Sequence, residues 1–192
     1  MEQSLFAYIE QYMPLSEAEK RTLKELDLFK SYPRGHFLIR EGAYSQSSFM
    51  VAKGCVRTYF LEDGQERTTG FYLEGDALEP LCSITGEPST YAVVCVEDCL
   101  LSISNKDMEA EVFARFPRFE TLCRLLTEEK MAQQQQNFDQ YKHASPEQRY
   151  KVLKASRPDL FNRVPQHQIA SYLGMTPESL SRLRRRLMDK KA

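Results

Sequence analysis

The sequence predicts an α+β chain: an N-terminal antiparallel, jelly-roll-like β-roll flanked by helices, then a long helix, then a small all-α C-terminal domain built as helix, turn, helix. Three observations carry this. Seven of the eight glycines, at 35, 42, 54, 64, 70, 75 and 86, fall between short β-rich segments in one stretch of the chain. No further glycine occurs until Gly174, and the segment from Pro117 to His143 contains no helix breaker. The C-terminal quarter is basic although the whole chain has a formal net charge of -1.

Residues 1 to about 30 read as helices, because Phe6, Ile9 and Met13 form one apolar stripe and Ser16 with Glu19 three residues on makes a capping box. The next ninety residues change character. Segments such as "HFLIR", "SSFMVAK", "CVRTYFL", "RTTGFYL" and "YAVVCV", separated by glycine turns, predict an antiparallel sandwich or barrel rather than alternating strands and helices. Neither GxGxxG nor GxxxxGK[ST] is present, which excludes a nucleotide-phosphate loop of those kinds. From Phe119 to Tyr141 the apolar residues Phe119, Leu122, Leu126, Met131 and Phe138 recur near heptad spacing, predicting a helix that pairs with a second copy of the chain. The apolar seam weakens at Gln133 to Gln136, so a helix packed only on its own β domain stays open. Ser145-Pro146-Glu147 reads as a fresh N-cap. The expected domains are therefore 1–116, 117–143 and 144–192.

At 42% hydrophobic and 28% charged residues, 192 residues suffice to bury a real core. No run of eighteen apolar residues exists, and "MEQSLFAYIEQYM" lacks the basic start and apolar core of a signal peptide, so no membrane partner and a cytoplasmic location are expected. The cysteines at 55, 82, 95, 99 and 123 are scattered, and Cys95 and Cys99 sit in an apolar strand-like segment that favours buried reduced thiols. Of the histidines 36, 143 and 167, only His36 lies in the β region, too few for the two- or three-histidine metal site of a β-roll enzyme. Neither catalysis nor a cofactor is expected.

From Ser145 to Ala192 there are eleven Lys/Arg against four Asp/Glu, a balance of +7, while residues 1–144 carry -8. An acidic body with a basic end is the footprint of a polyanion-binding module. Within "HQIASYLGMTPESLSRLRRRL", Ile169, Ala170 and Leu173 have helical spacing, Gly174 suits a left-handed turn, and Thr176-Pro177-Glu178 opens a second helix. On that helix Leu180, Leu183 and Leu187 form the packing stripe, and Glu178, Ser181, Arg182 and Arg185 face the other way. In a helix-turn-helix this face enters the major groove of double-stranded DNA, where Arg182 suits a guanine edge, Glu178 a cytosine amino group and Ser181 either. Gln168, Ser179, Arg184 and Arg186 are assigned to phosphates. An ordinary surface ion pair between Glu178 and Arg182 is the competing reading.

The order "GHFLIREG", "VAKGCVRTYFLEDGQERTTGFYLEGD", long helix, "VPQHQIASYLGMTPESLSRLRRRL" resembles the Crp/Fnr family of bacterial transcription regulators over nearly the whole chain. The resemblance implies a β-roll sensor for a small-molecule effector, a dimerising helix, a DNA-binding helix-turn-helix whose Glu and Arg four apart match Glu178 and Arg182, and RNA polymerase as a partner. A ligand-binding signalling module without DNA-dependent function is the alternative. The effector pocket would involve Glu79, Leu81, Ser89 and Thr90. Where cyclic-nucleotide-binding members carry Gly-Glu and Arg-Ser/Thr pairs, this sequence has Glu79-Pro80 and Pro88-Ser89. Proline has no N–H and replaces a guanidinium, so cAMP is expected not to bind in the usual way. No cysteine precedes Cys55, unlike the iron-sulfur members, and Met188 to Ala192 are too few for the β-hairpin wing of many relatives.

Overall fold

A computed structural model describes residues 2–189. The element order is α1 (Glu2–Glu10), α2 (Glu17–Glu25), β1 (Phe29–Tyr32), β2 (Phe37–Ile39), β3 (Ser47–Lys53), β4 (Val56–Glu62), β5 (Gln65–Tyr72), β6 (Ala77–Leu78), α3 (Leu81–Thr85), β7 (Ala92–Cys95), β8 (Cys99–Asn105), α4 (Lys106–Arg115), α5 (Arg118–His143), α6 (Pro146–Ser156), α7 (Leu160–Arg163), α8 (Gln166–Tyr172) and α9 (Pro177–Asp189). The chain forms two compact units, one of residues 1–58 with 71–130, the other of residues 59–70 with 131–192. The division falls inside α5, and the tip of the β4–β5 hairpin groups with the C-terminal helices. Compactness follows side-chain packing, whereas the boundaries read from sequence follow breaks in composition.

Eight short strands, all in the first unit except the tip of the β4–β5 hairpin, make two four-stranded sheets, ordered β1-β8-β3-β6 and β2-β7-β4-β5. The ladder of β8 against β1 pairs Phe29 with Ser102, and that against β3 pairs Ser47 with Asn105, both antiparallel. Between the sheets lie Ile39, Phe49, Val51, Val56, Leu78, Val93 and Leu101, with Cys82, Cys95 and Cys99. This is the predicted β-roll. The thiols of Cys55, Cys82, Cys95 and Cys99 are buried and unbridged, consistent with small apolar residues in a strand-built core, while Cys123 is exposed. Gly54 shows why one glycine is indispensable. Its φ is +105°, and a Cβ there would meet Cys99 Sγ at 2.7 Å and the Asp98 carbonyl at 2.8 Å.

A second cluster in this unit joins Phe6, Ile9, Leu15 and Val112 to Phe119 and Leu122 of α5. The capping box forms as the sequence predicts, with Glu19 receiving the Ser16 backbone N–H at 2.7 Å. Glu19 is buried, and its carboxylate is clamped by the guanidinium of Arg118, which also donates to the Pro14 carbonyl at 2.7 Å. Arg118 first, and then the Ser16 hydroxyl and backbone N–H, hold the Glu19 carboxyl down at about 2. The start of α5 is therefore fastened to the N-terminal helices.

That fastening bears on the residues of the expected pairing seam. Phe119 and Leu122 are buried within the chain itself, against Phe6 and Ile9 of α1 and Val112 of α4, and Leu126 packs on the same cluster. Met131 and Phe138, 65% and 55% exposed, are the seam residues left uncovered. The side chain of Tyr141 and residues 190–192 lie outside the described residues. Among the described residues no helix is long and apolar enough to cross a membrane.

Candidate nucleic-acid interface and effector pocket

The second unit places the basic segment on four helices, α6 to α9. Ser145 caps α6 with its hydroxyl on the Gln148 N–H, and the Gln148 side chain returns to the Ser145 N–H at 2.7 Å. Leu160, Ile169, Leu173, Leu180 and Leu183 are each at most 1% exposed, so the stripes read on α8 and α9 become one small core. Leu187 is half-buried at its end.

The turn between α8 and α9 follows from two residues. Gly174 adopts φ +69°, its N–H donates to the Ser171 carbonyl at 3.0 Å, and the Met175 N–H donates to the Ala170 carbonyl at 2.9 Å. This closes α8 with a left-handed glycine cap, a conformation that a Cβ disfavours. Thr176 then accepts the Ser179 N–H at 3.2 Å, capping α9 two residues after the turn. The two helices are locked at a fixed angle by backbone chemistry and the leucine core together.

The outward face of α9 carries Glu178, Ser181, Arg182 and Arg185, all exposed. The structure thus brings together the four side chains assigned to base edges. The Glu178 carboxyl is held below the usual carboxylate range chiefly by its own backbone N–H, then by the Thr176 hydroxyl, and least by the charge of Arg182. No ion pair between Glu178 and Arg182 is found among the described residues. The i, i+4 pair is therefore not what sets this face. Of the four residues assigned to phosphates, Ser179 is exposed and bonded to Thr176 at 3.1 Å, Arg184 is half-buried, and Arg186 is exposed with Glu147 4.0 Å away. Gln168 differs. Its side-chain oxygen is buried and accepts no hydrogen bond among the described residues, so that oxygen is turned into the helical packing.

In the first unit three of the residues assigned to an effector, Glu79, Leu81 and Ser89, are hydrogen-bonded to other residues of the β-roll. Glu79 accepts from the Ser48 hydroxyl at 2.5 Å and the Ser83 hydroxyl at 2.8 Å. The backbone N–H of Leu81, at the start of α3, donates to the Tyr91 hydroxyl at 3.1 Å, and the Ser89 hydroxyl donates to the Tyr91 carbonyl at 2.7 Å. Thr90 is exposed, and Pro80 is buried as the N-cap of α3. Tyr91 is the residue that sequence reading missed. Its position two residues after Ser89, at the lip of a strand, was the available signal. Arg67, an alternative anion anchor, lies in the β4–β5 hairpin and pairs with Glu62 at 3.1 Å.

Residues 29–115 match the cyclic nucleotide-binding domain family. Over 163 residues the chain is 26% identical to the transcriptional activator protein Anr of Pseudomonas aeruginosa, covering 78% of this chain and 66% of Anr. The match spans just under two thirds of the length of Anr. Among solved structures, this chain has the fold of FixK2 from Bradyrhizobium japonicum, with a TM-score of 0.66 at 18% identity and 85% of each chain covered. It likewise has the fold of the c-di-GMP-responsive global regulator CLP from Xanthomonas campestris, with a TM-score of 0.62 at 14% identity, covering 89% of this chain and 93% of CLP. These two likenesses are of fold. The expected β-roll with a C-terminal helical domain is present, and Anr is by its name a transcriptional activator.

Proposed function

We propose that this chain is a cytoplasmic, sequence-specific DNA-binding transcription regulator of the Crp/Fnr family acting as a homodimer, with residues 1–116 as sensor domain, 117–143 as dimerising helix and 144–192 as DNA-binding domain. The observation that carries the reading is the face of α9, where Glu178, Ser181, Arg182 and Arg185 stand exposed on a helix whose opposite Leu180 and Leu183 are fully buried. A helix so presented, behind a capped turn and in a domain of net charge +7, has the shape and sign to lie in a major groove. Arg182 and Glu178 read bases there. Ser179, Arg184 and Arg186 position the helix on phosphates. Met131 and Phe138, one heptad apart on α5, supply apolar contacts to a second copy, which sets two recognition helices against two half-sites.

The β-roll of this regulator does not take a cyclic nucleotide in the usual way. A cyclic phosphate needs backbone N–H donors and a cation. The Leu81 N–H is already satisfied by Tyr91, Pro80 has no N–H, and Pro88 stands where related sequences carry arginine. Any small-molecule effector is then of different chemistry, and RNA polymerase is the downstream partner that transcription regulation requires. The deciding experiment is selection of bound sequences from random double-stranded DNA by the full chain. A two-fold symmetric motif is the expected result; recovery of no enriched motif would refute the reading.

A further inference from the structure

The second unit contains a contact between residues more than one hundred positions apart. Ser171, near the end of α8, places its hydroxyl 3.0 Å from the backbone N–H of Thr68, which donates to it, and 3.0 Å from the backbone carbonyl of Glu66, to which it donates. Both partners lie on β5, the last strand in the order β2-β7-β4-β5. In a strand, the carbonyl of one residue and the N–H of the residue two positions on face the same edge. A single serine hydroxyl, being both donor and acceptor, fills one repeat of that edge as a neighbouring strand would. Thr68 is buried beneath the contact, with 6% of its surface exposed.

We propose that Ser171 is a positioning residue for DNA recognition, a clasp that fixes the first helix of the helix-turn-helix on the outer edge of β5 and so presets the orientation of the recognition helix. This rests on the DNA-binding reading for its functional consequence only. The argument for presetting rather than occlusion is geometric: with the clasp made, Glu178, Ser181, Arg182 and Arg185 remain exposed, so the hairpin covers none of the base-facing side chains. Ser171 itself is half-buried and contacts backbone atoms of β5. Removing the hydroxyl unties α8 from β5, and the freedom gained must be lost again on binding.

The clasp is tested in two independent ways on the full chain. Amide exchange at Thr68 is expected to rise about tenfold or more in Ser171→Ala, while Ser171→Thr, which keeps a hydroxyl, restores protection. Binding to the DNA motif selected by the wild-type chain is expected to weaken about fivefold in Ser171→Ala and to recover in Ser171→Thr. The slope of log affinity against log salt stays unchanged, because no phosphate contact is lost. Unaltered Thr68 exchange in Ser171→Ala overturns the clasp itself. Affinity equal to or above wild type overturns its presetting role, and a reduced salt slope overturns it in favour of a direct phosphate contact. A wild-type chain that selects no DNA refutes the proposed function, and the exchange measurement still decides the clasp.

Discussion

Truncating Arg182 to alanine is the most direct test of how α9 reads DNA. The side chain is exposed, it forms no ion pair among the described residues, and its helix is held by Leu180 and Leu183 on the opposite face. Loss of the guanidinium therefore removes nothing from the fold, and the unfolding free energy is expected to stay within about 0.5 kcal/mol of wild type. Against the selected DNA motif, a bidentate contact to guanine O6 and N7 is worth roughly 1 to 3 kcal/mol, or about 5- to 150-fold in dissociation constant. Glu178 adds a control within the same helix turn. Because its carboxylate is stabilised mainly by its own N–H and by Thr176, removing Arg182 should not release it from the cap. The assay is a titration by fluorescence anisotropy against the motif and against each single-base variant of one half-site. Arg182→Ala is expected to flatten preference at one base pair per half-site. Arg186→Ala should weaken all sequences nearly alike and lower the salt slope by about one per site, as a phosphate contact does through counterion release. If Arg182→Ala lowers affinity uniformly, with base preference intact, Arg182 belongs to the electrostatic face and the assignment of the reading edge is refuted.

Replacing Met131 by glutamate puts a charge on the exposed seam of α5 without touching the buried Phe119 and Leu122, so sedimentation should show loss of the dimer with DNA affinity falling alongside, and an unchanged dimer would refute the seam. Calorimetry with cAMP should show no binding tighter than that of unspecific nucleotides, and micromolar affinity would refute the reading that Tyr91 and the prolines leave no phosphate site. Arg118→Ala leaves the buried Glu19 carboxylate without its guanidinium, the chief cause of its fall from 4.5 to about 2, and so destabilises the folded chain. Since the Glu19 carboxyl is depressed in the folded chain, that stability is fully present above pH 4.5 and is lost as pH falls toward 2. Urea unfolding should thus separate wild type from Arg118→Ala at pH 6 and bring them together near pH 2, and an equal gap at both would refute the ion pair.

Local chemistry was legible from the residues alone. Ser16 with Glu19, Ser145 with Gln148, and Gly174 in its left-handed turn are each determined by atoms within a few positions along the chain, so their structures follow from residue type and spacing. The same holds for α9, because one helix with leucines on one side and charges on the other has a single way to bury itself. Periodicity along α5 could not say what would cover it. Phe119, Leu122, Met131 and Phe138 are equally apolar in sequence, yet the first two meet Phe6, Ile9 and Val112 while the others stay exposed, a difference set by elements distant in the chain. Nor could composition reveal that Tyr91 answers the Leu81 N–H, or that Ser171 meets the edge of β5 across more than one hundred residues. Those contacts are made by backbone groups, which every residue carries alike, and only the path of the folded chain decides which of them a given side chain reaches.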